Sequence, residues 1–549
     1  MTVRITTTGN ATGVLALLGL LLLAACQPEP PAGTSDELTD FAERYADAWS
    51  GGDPVAFAAF YAENGTLRIN DGEPSSGRDA VEQTARDFMT AFPDMTVTLV
   101  RLERDGNSVN FHWRWTGTNT GPGGTGAAVD LTGYEQWTLD DDGLILYSQG
   151  HLDEDEYQRQ LDAASPAAAL YPHEEEPIGS VRQVYDGALM PDLQANTFRN
   201  IHRLFATRTV RRGPDVHPLP ESDTPLESLT FSVDGVDYDL YDYVSLNRIS
   251  GLLVIKDGEI AYETYQLGNT EATRWMSMSV VKSITATLVG AALRDGDIDS
   301  IDDPVTRYVT ALEDTAYDGV SVRQLLMMAS GVDWNETYTD PASDRRRLLE
   351  AQIAQEPGGM LEVMAGLSRA APPGTRWNYS TGETQVVAEL VRAATGRNLA
   401  DYLSEKIWAG FGMEADATWW LESPGGIEVG GSGLSATLRD YGRFGLFLLQ
   451  GGIVNGEPVL PDGWLAEATT SKRVDGEVVD YGYMFWPVPD DEDPVHDGAF
   501  EASGIFGQEL YINPAEGVVI AMWSARPKPL GKTTVPDRAF YKAACEALR

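Results

Sequence analysis

Trp275-Met-Ser-Met-Ser279-Val-Val-Lys282-Ser-Ile-Thr-Ala-Thr-Leu-Val-Gly290 is the stretch from which the rest of the chain is read. Val281, Ile284, Leu288 and Ala292 recur at helical spacing, so a helix opens here and buries that stripe. Ser279 and Lys282 stand three residues apart and face the same side of its first turn. A serine hydroxyl is a poor nucleophile until a base takes its proton. A lysine can be that base only if burial or nearby positive charge brings its pKa toward neutrality. The start of a buried helix offers both desolvation and the positive end of a dipole. The chain has only seven lysines in 549 residues, yet S-x-x-K is a short motif and needs context. Other nucleophile signatures are missing. There is no G-x-S-x-G elbow, and a Ser-His-Asp triad could run only through His496, the one histidine downstream of Ser279.

Context comes from both sides. Pro372-Pro-Gly-Thr-Arg-Trp-Asn-Tyr379-Ser-Thr-Gly-Glu383 is a turn leading into a helix, Thr384 to Ala394, and a tyrosine at such a junction can reach back to a serine–lysine pair. Ala502-Ser-Gly504-Ile-Phe-Gly507-Gln508 leads into the penultimate strand, where glycines let a substrate lie close enough for a backbone N–H to serve an oxyanion. Two hairpins bracket the region. Gly251 to Lys256 and Glu259 to Tyr265 flank an Asp257-Gly258 turn, while Gln508 to Ile512 and Val518 to Trp523 flank Pro514-Ala-Glu-Gly517. With helices filling the middle and a last helix from Asp537 to Leu548, the order predicts an antiparallel sheet built from both ends, with a helical lobe inserted between.

These residues resemble the serine β-lactamase and penicillin-binding-protein superfamily, and most of all its class C-like esterases and 6-aminohexanoate-dimer hydrolases. The resemblance covers nearly all of 179–549. It is reinforced by Ser330-Gly331-Val-Asp-Trp-Asn335-Glu-Thr-Tyr338-Thr-Asp-Pro-Ala-Ser-Asp344 and Gly430-Gly-Ser-Gly433-Leu-Ser-Ala-Thr-Leu-Arg-Asp440. It implies that Ser279 attacks a carbonyl, that Lys282 is its base, and that Tyr379 shuttles a proton to the leaving group and helps activate the deacylating water. It also implies an oxyanion hole of backbone N–H groups, from Ser279 and from the Gly504–Phe506 strand, chiefly Ile505, with Tyr338 lining the acyl cleft. Two departures stand out. The second motif, usually Tyr-x-Asn, is Tyr379-Ser380-Thr381. The Lys-Thr-Gly third motif is missing, since Lys532-Thr533-Thr534 lacks the glycine and lies beyond the last strand; His496-Asp497-Gly498 could stand in as a His-x-Gly variant, although it lies upstream of the place expected from Phe506-Gly507. Loss of that cation favours ester or linear amide substrates over β-lactams and D-Ala-D-Ala. A β-lactamase or D-aminopeptidase-like enzyme is the rival within chemistry, and a catalytically silent binding protein is the rival outside it.

Upstream, residues 35–162 open with amphipathic helix patterns, Leu38 to Trp49, Val55 to Tyr61 and Arg78 to Ala91. Strand-like runs follow at Val97–Leu102, Val109–Gly117, Ala128–Leu139 and Leu144–His151. Helices followed by a curved antiparallel sheet make a small α+β unit. Its element order, Gly117-Thr118-Asn119-Thr120-Gly121 and Tyr134-Glu135-Gln136-Trp137 resemble the SnoaL-like branch of the NTF2-like cone folds. Trp113, Trp115, Tyr134 and His151 are candidate cavity residues, with ordinary core packing as the alternative. The unit is not read as catalytic. Residues 163–178 form a linker whose Glu174-Glu175-Glu176 reads as solvated surface. The expected fold class is therefore two α+β domains, an NTF2-like cone and a β-lactamase/transpeptidase-like unit.

The first 25 residues carry one charge, Arg4, and an apolar run from Val14 to Ala25 too short to span a bilayer comfortably, which reads as an export signal. Leu23-Ala24-Ala25-Cys26 resembles the bacterial lipobox, which implies lipidation of Cys26, a tether over 26–34, and a membrane-anchored protein facing the periplasm, with Gln27 favouring the outer membrane. Cys545, the other cysteine, is then left without a disulfide partner and should be a small buried residue on the last helix. With 40 basic and 83 acidic residues the net charge is −43, which argues against nucleic-acid binding. Two cysteines and six scattered histidines offer no ligand spacing for a metal, and no cofactor motif is present. The expected partner is a small ester or amide substrate; the oligomeric state is not encoded in any pattern.

Overall fold

The two hairpins read from the second half of the chain meet in one sheet. In the computed structural model, which describes residues 35–70, 72–105, 108–121, 127–163, 171–489, 493–530 and 533–549, six antiparallel strands follow one another in space. They are Glu259–Tyr265, Ile249–Lys256, Val518–Ser524, Glu509–Asn513, Phe500–Ser503 and Trp486–Pro487. The interior strand Ile249–Lys256 reads Leu252-Leu-Val-Ile255 without polar alternation because both faces are covered. Leu252 and Val254 pack toward the C-terminal helix Asp537–Ala547, while Leu253 and Ile255 join the core under the helical lobe. Cys545 is buried on that C-terminal helix, as expected, and burial pushes its thiol up to about 11.

A second sheet was not legible in the sequence. Arg274–Met276, Leu434–Thr437, Ala417–Trp420 and Thr207–Val210 pair antiparallel in that order. Its strands are three or four residues long and lie far apart in the chain, too short for periodicity to register. The helix Val280–Asp295 also departs from expectation. It is not a stripe: every residue from Val280 to Ala292 is buried. Its hydroxyls are satisfied internally, Ser283 donating to Met484 O (2.6 Å), Thr285 to Gly430 O (2.8 Å) and Thr287 to Ser283 O (2.7 Å).

The chain divides into two units at Leu170/Tyr171. In the first, six strands run in the order Ser75–Ser76, Tyr61–Ile69, Ile145–Leu152, Ala128–Leu139, Ser108–Thr118 and Thr96–Asp105, with helices Ser35–Ser50, Pro54–Ala58, Arg78–Ala91 and Glu154–Ala163. Sequence reading placed Tyr61 at the end of a helix, whereas it starts a strand that pairs parallel with Ile145–Leu152. The sheet is thus not wholly antiparallel. The polar Glu63-Asn64 and a register shift between Tyr61 and Thr66 break the alternation that would have revealed this strand.

The expected linker is shorter than 163–178, since Tyr171 already belongs to the second unit. Its acidic run is not idle surface either. Glu176 holds the buried Arg199 (2.6 Å) and bonds His173 (3.0 Å), and Glu174 pairs with His202 (2.8 Å).

Candidate active site

The short strand Arg274–Met276 aims the chain at the cleft. Ser277 N–H donates to Leu434 O (2.7 Å), Met278 then takes a left-handed φ of +43°, and Ser279 stands at the N-cap position of the helix Val280–Asp295 without a side-chain capping bond. A side-chain-bearing residue held in that region costs energy that the surroundings must supply, which is common beside reacting groups. One turn in, Lys282 is fully buried, and its Nζ donates to Ser279 Oγ and to Gly431 O, both at 2.9 Å. Burial pushes Lys282 down to about 7; the negative charge of Glu336 pulls the other way, and Arg345 adds to the depression. The landmark glycines around 430 find their reason here. A Cβ on Gly431 would stand 2.8 Å from Thr381 Cγ2 and 3.3 Å from Lys282 Nζ, so only glycine lets this carbonyl reach the amine.

Tyr379 comes from the loop before the helix Thr381–Thr395, whose N-terminus Ser380 caps by accepting from Glu383 N–H. Its ring stacks on Trp486 (centroids 5.7 Å, 23°) and lies 5.4 Å from Lys282 Nζ. Burial, and then the charge of Glu336, hold the phenol well above its ordinary value, against a hydrogen bond from Ser279. Tyr379 therefore keeps its proton at neutral pH.

On the opposite wall, Gly504 to Phe506 form the turn after Phe500–Ser503 rather than a strand. Gly504 N–H is taken by Gln508 O (2.7 Å) and Phe506 N–H by Gln508 Oε1 (3.1 Å). This corrects the expectation of several N–H groups here. Among the described residues, the N–H groups of Ile505 and Ser279 have no partner, and both residues line the same cleft of about 530 Å3. Gly504 contributes closeness instead: a Cβ there would lie 3.0 Å from Ser277 O.

The cleft also takes in Tyr338, Tyr379, Trp486, Ser503, Leu530 and Glu336. Ser279, Lys282, Tyr379, Ile505, Gly504 and Tyr338 are thus brought together. Sequence reasoning missed Glu336, whose carboxylate accepts from Thr381 N–H (2.9 Å), from the Thr381 hydroxyl and from Trp334 Nε1. It stands two residues before Tyr338 in the quoted Asn335-Glu-Thr-Tyr338 landmark, but nothing in the sequence pairs it with Thr381, the residue that departs from Tyr-x-Asn. His496 does not reach the cleft. It is buried and bonds the Tyr511 hydroxyl (2.8 Å), which removes both the triad and the third-motif roles considered for it. Lys532 and Cys26 lie outside the described residues.

In the first unit, Trp113, Trp115 and His151 line a cavity of about 60 Å3, together with Glu135. Tyr134 stacks on His151 (4.5 Å) but does not line it. Glu135 was missed although the alternation Leu131-x-Gly133-x-Glu135-x-Trp137 puts it inward. It accepts from Tyr45 (2.8 Å), Trp137 (3.0 Å) and Ser148 (2.7 Å), and burial raises its pKa.

Comparison with known proteins bears on the family and the fold. The Beta-lactamase family model matches residues 247–542, and the SnoaL-like domain model matches 42–147. A 6-aminohexanoate-dimer hydrolase from Paenarthrobacter ureafaciens is 30% identical over 347 residues, which is 60% of this chain and 85% of that protein. A D-aminopeptidase from Brucella anthropi is 30% identical over 171 residues, 29% of this chain and 31% of its own length. A solved Bacillus anthracis structure, provisionally assigned as a 6-aminohexanoate-dimer hydrolase, covers 65% of this chain and 94% of its own at a TM-score of 0.58 and 24% identity, which speaks to the fold alone. With an N-terminal SnoaL-like domain ahead of it, the C-terminal unit places this chain in the β-lactamase family of serine hydrolases.

Proposed function

We propose that the C-terminal unit cleaves linear amide or ester bonds through an acyl-enzyme on Ser279. The observation that carries this is a fully buried lysine, pushed down to about 7, with its amine 2.9 Å from the Ser279 hydroxyl. As Ser279 Oγ bonds to the carbonyl carbon, its proton passes to Lys282 Nζ. The oxyanion so formed is met by the unpaired N–H groups of Ser279 and Ile505. When the C–N or C–O bond breaks, the Tyr379 hydroxyl protonates the leaving group and regains a proton from Lys282. Water then attacks the acyl carbon, giving up a proton by the same route, and Ser279 is released.

The names of the relatives, a 6-aminohexanoate-dimer hydrolase and a D-aminopeptidase, favour linear amides. Among the described residues, no lysine or arginine lines the cleft to hold a β-lactam carboxylate. The apolar run before Cys26 supports a lipid-anchored, periplasm-facing placement, and mass analysis of the mature N-terminus in native membranes checks it.

The test of function is hydrolysis of acyl p-nitroanilides and p-nitrophenyl butyrate against nitrocefin, in parallel with Ser279→Ala. Turnover of the linear substrates that disappears in the variant is expected. Nitrocefin turnover as fast as that of the esters would instead support a β-lactamase. Ligand binding that survives Ser279→Ala, with no turnover of anything, would support a binding protein.

A further inference from the structure

Gln508 takes no part in the steps above, yet its side chain closes the turn that carries Ile505. The backbone groups around the free Ile505 N–H are engaged. Gly504 N–H donates to Gln508 O (2.7 Å), Gly507 N–H to Gly504 O (2.9 Å), Leu530 N–H to Ile505 O (2.9 Å) and Arg526 N–H to Phe506 O (3.3 Å). That leaves the N–H of the buried Phe506, and Gln508 Oε1 accepts it at 3.1 Å. Among the described residues, no other side chain bonds the backbone of 504–507. Gly504 permits this closeness, since a Cβ there would stand 2.7 Å from Gln508 Oε1 and 3.0 Å from Ser277 O, two residues before the nucleophile. The other end of the amide does the reverse. Gln508 is 2% exposed, and its Nε2 finds no partner among the described residues. A buried donor without a partner destabilises the fold, so half of this amide works against stability while the other half holds a single N–H. A side chain retained on those terms points to a role beyond stability.

We propose that Gln508 is a positioning residue for hydrolysis: by holding Phe506 N–H through Oε1, it fixes the turn so that Ile505 N–H stays aimed at the oxyanion. Gln508 touches no reacting atom itself. The proposal rests on the hydrolase reading and deepens it, because it names what sets the aim of one of the two donors. The peptides before and after Ile505 share its Cα, so a rotation of the second disturbs the first. Without Oε1, the buried Phe506 N–H has to find another acceptor, and the turn shifts to reach one. A misplacement of about 1 Å in a catalytic group is enough for a loss of about 10²-fold. The oxyanion is absent from the bound substrate, so the loss falls on kcat and not on binding. Acylation and deacylation both pass through an oxyanion, so both slow together and KM holds.

The test is steady-state hydrolysis of p-nitrophenyl butyrate by the full chain and by its Gln508→Met and Gln508→Glu variants, with a urea midpoint for each. Methionine keeps the length of the side chain but offers a sulfur that accepts only weakly. It also removes the partnerless Nε2, so the two changes offset and the midpoint should stay close to that of the wild type. In this variant kcat should fall about 10- to 100-fold, with KM within about threefold. Glutamate, kept neutral by burial, still presents an oxygen to Phe506 N–H and should restore kcat to within about threefold of the wild type. If the wild type is active, any of three results overturns the proposal and leaves the hydrolase reading standing. These are an unchanged kcat in Gln508→Met, a loss that comes through KM or through failure to fold, and a Gln508→Glu variant as slow as Gln508→Met. A wild type that hydrolyses neither this ester nor an acyl p-nitroanilide overturns the hydrolase reading, and the proposal with it.

Discussion

Replacing Lys282 with methionine should abolish hydrolysis and yet change stability in a way that depends on pH. Methionine matches the length of the lysine stem and carries no charge. In the folded protein burial lowers the lysine from its ordinary 10.5 to about 7. Each pH unit between those values corresponds to about 1.36 kcal/mol, so an ammonium at this position costs the fold about 5 kcal/mol. Below pH 7 the lysine is protonated in both states and the whole cost is present. Between 7 and 10.5 the unfolded chain binds a proton that the folded one does not, so the stability of the wild type rises with pH. Above 10.5 the cost is gone.

Against this, Lys282→Met leaves Gly431 O and Ser279 Oγ without their donor, a loss of about 1–3 kcal/mol for a buried acceptor. The net sign at one pH is thus a small difference, while the slope is decisive. The advantage of the methionine variant should shrink by about 2 kcal/mol from pH 7 to pH 9. Urea denaturation of both proteins at pH 6, 7, 8 and 9 measures it, and the unchanged N-terminal unit cancels in the comparison. A difference that stays constant with pH, or grows, would refute a lysine titrating near neutrality.

Three further outcomes follow from the same site. For a neutral ester, kcat/KM should rise with pH through an apparent pKa near 7 as Lys282 loses its proton, with no falling limb from Tyr379, which stays protonated; a flat profile from pH 5 to 9 contradicts this. Tyr379→Phe keeps the stacking on Trp486 but removes the proton donor, so turnover should fall by about 10²- to 10⁴-fold with the fold intact, and a loss below about threefold would remove Tyr379 from the chemistry. Gly431→Ala forces a methyl to within 2.8 Å of Thr381 Cγ2 and 3.3 Å of Lys282 Nζ, which should cost about 1–3 kcal/mol and lower kcat; full activity and stability would show that the carbonyl can reach Lys282 another way.

Much of the site was legible in the sequence because its parts are local. Ser279 and Lys282 share one helical turn, Tyr379 sits at a turn-to-helix junction, and the hairpins carry their own turn signals. What was not legible depends on tertiary contacts. Glu336 and Thr381 meet only because a loop and a helix N-terminus are folded together, and no spacing encodes that. The second sheet, with Leu434–Thr437 and Thr207–Val210, is made of strands too short to show a period. The parallel strand Tyr61–Ile69 was hidden by a bulge, and the acidic run at 174–176 looked like surface because Arg199 and His202 are distant in sequence from it. His496 illustrates the reverse case. Its place in the chain made it a candidate for the cleft, but the fold turns it toward Tyr511.

The central claim is that Ser279 becomes covalently acylated. Intact-mass spectrometry of the soluble chain from Pro28, sampled during hydrolysis of p-nitrophenyl butyrate, tests it most directly. A transient increase equal to one butyryl group, mapping to the peptide with Ser279 and missing in Ser279→Ala, is the predicted result. Equal hydrolysis by both proteins with no adduct on either would contradict it.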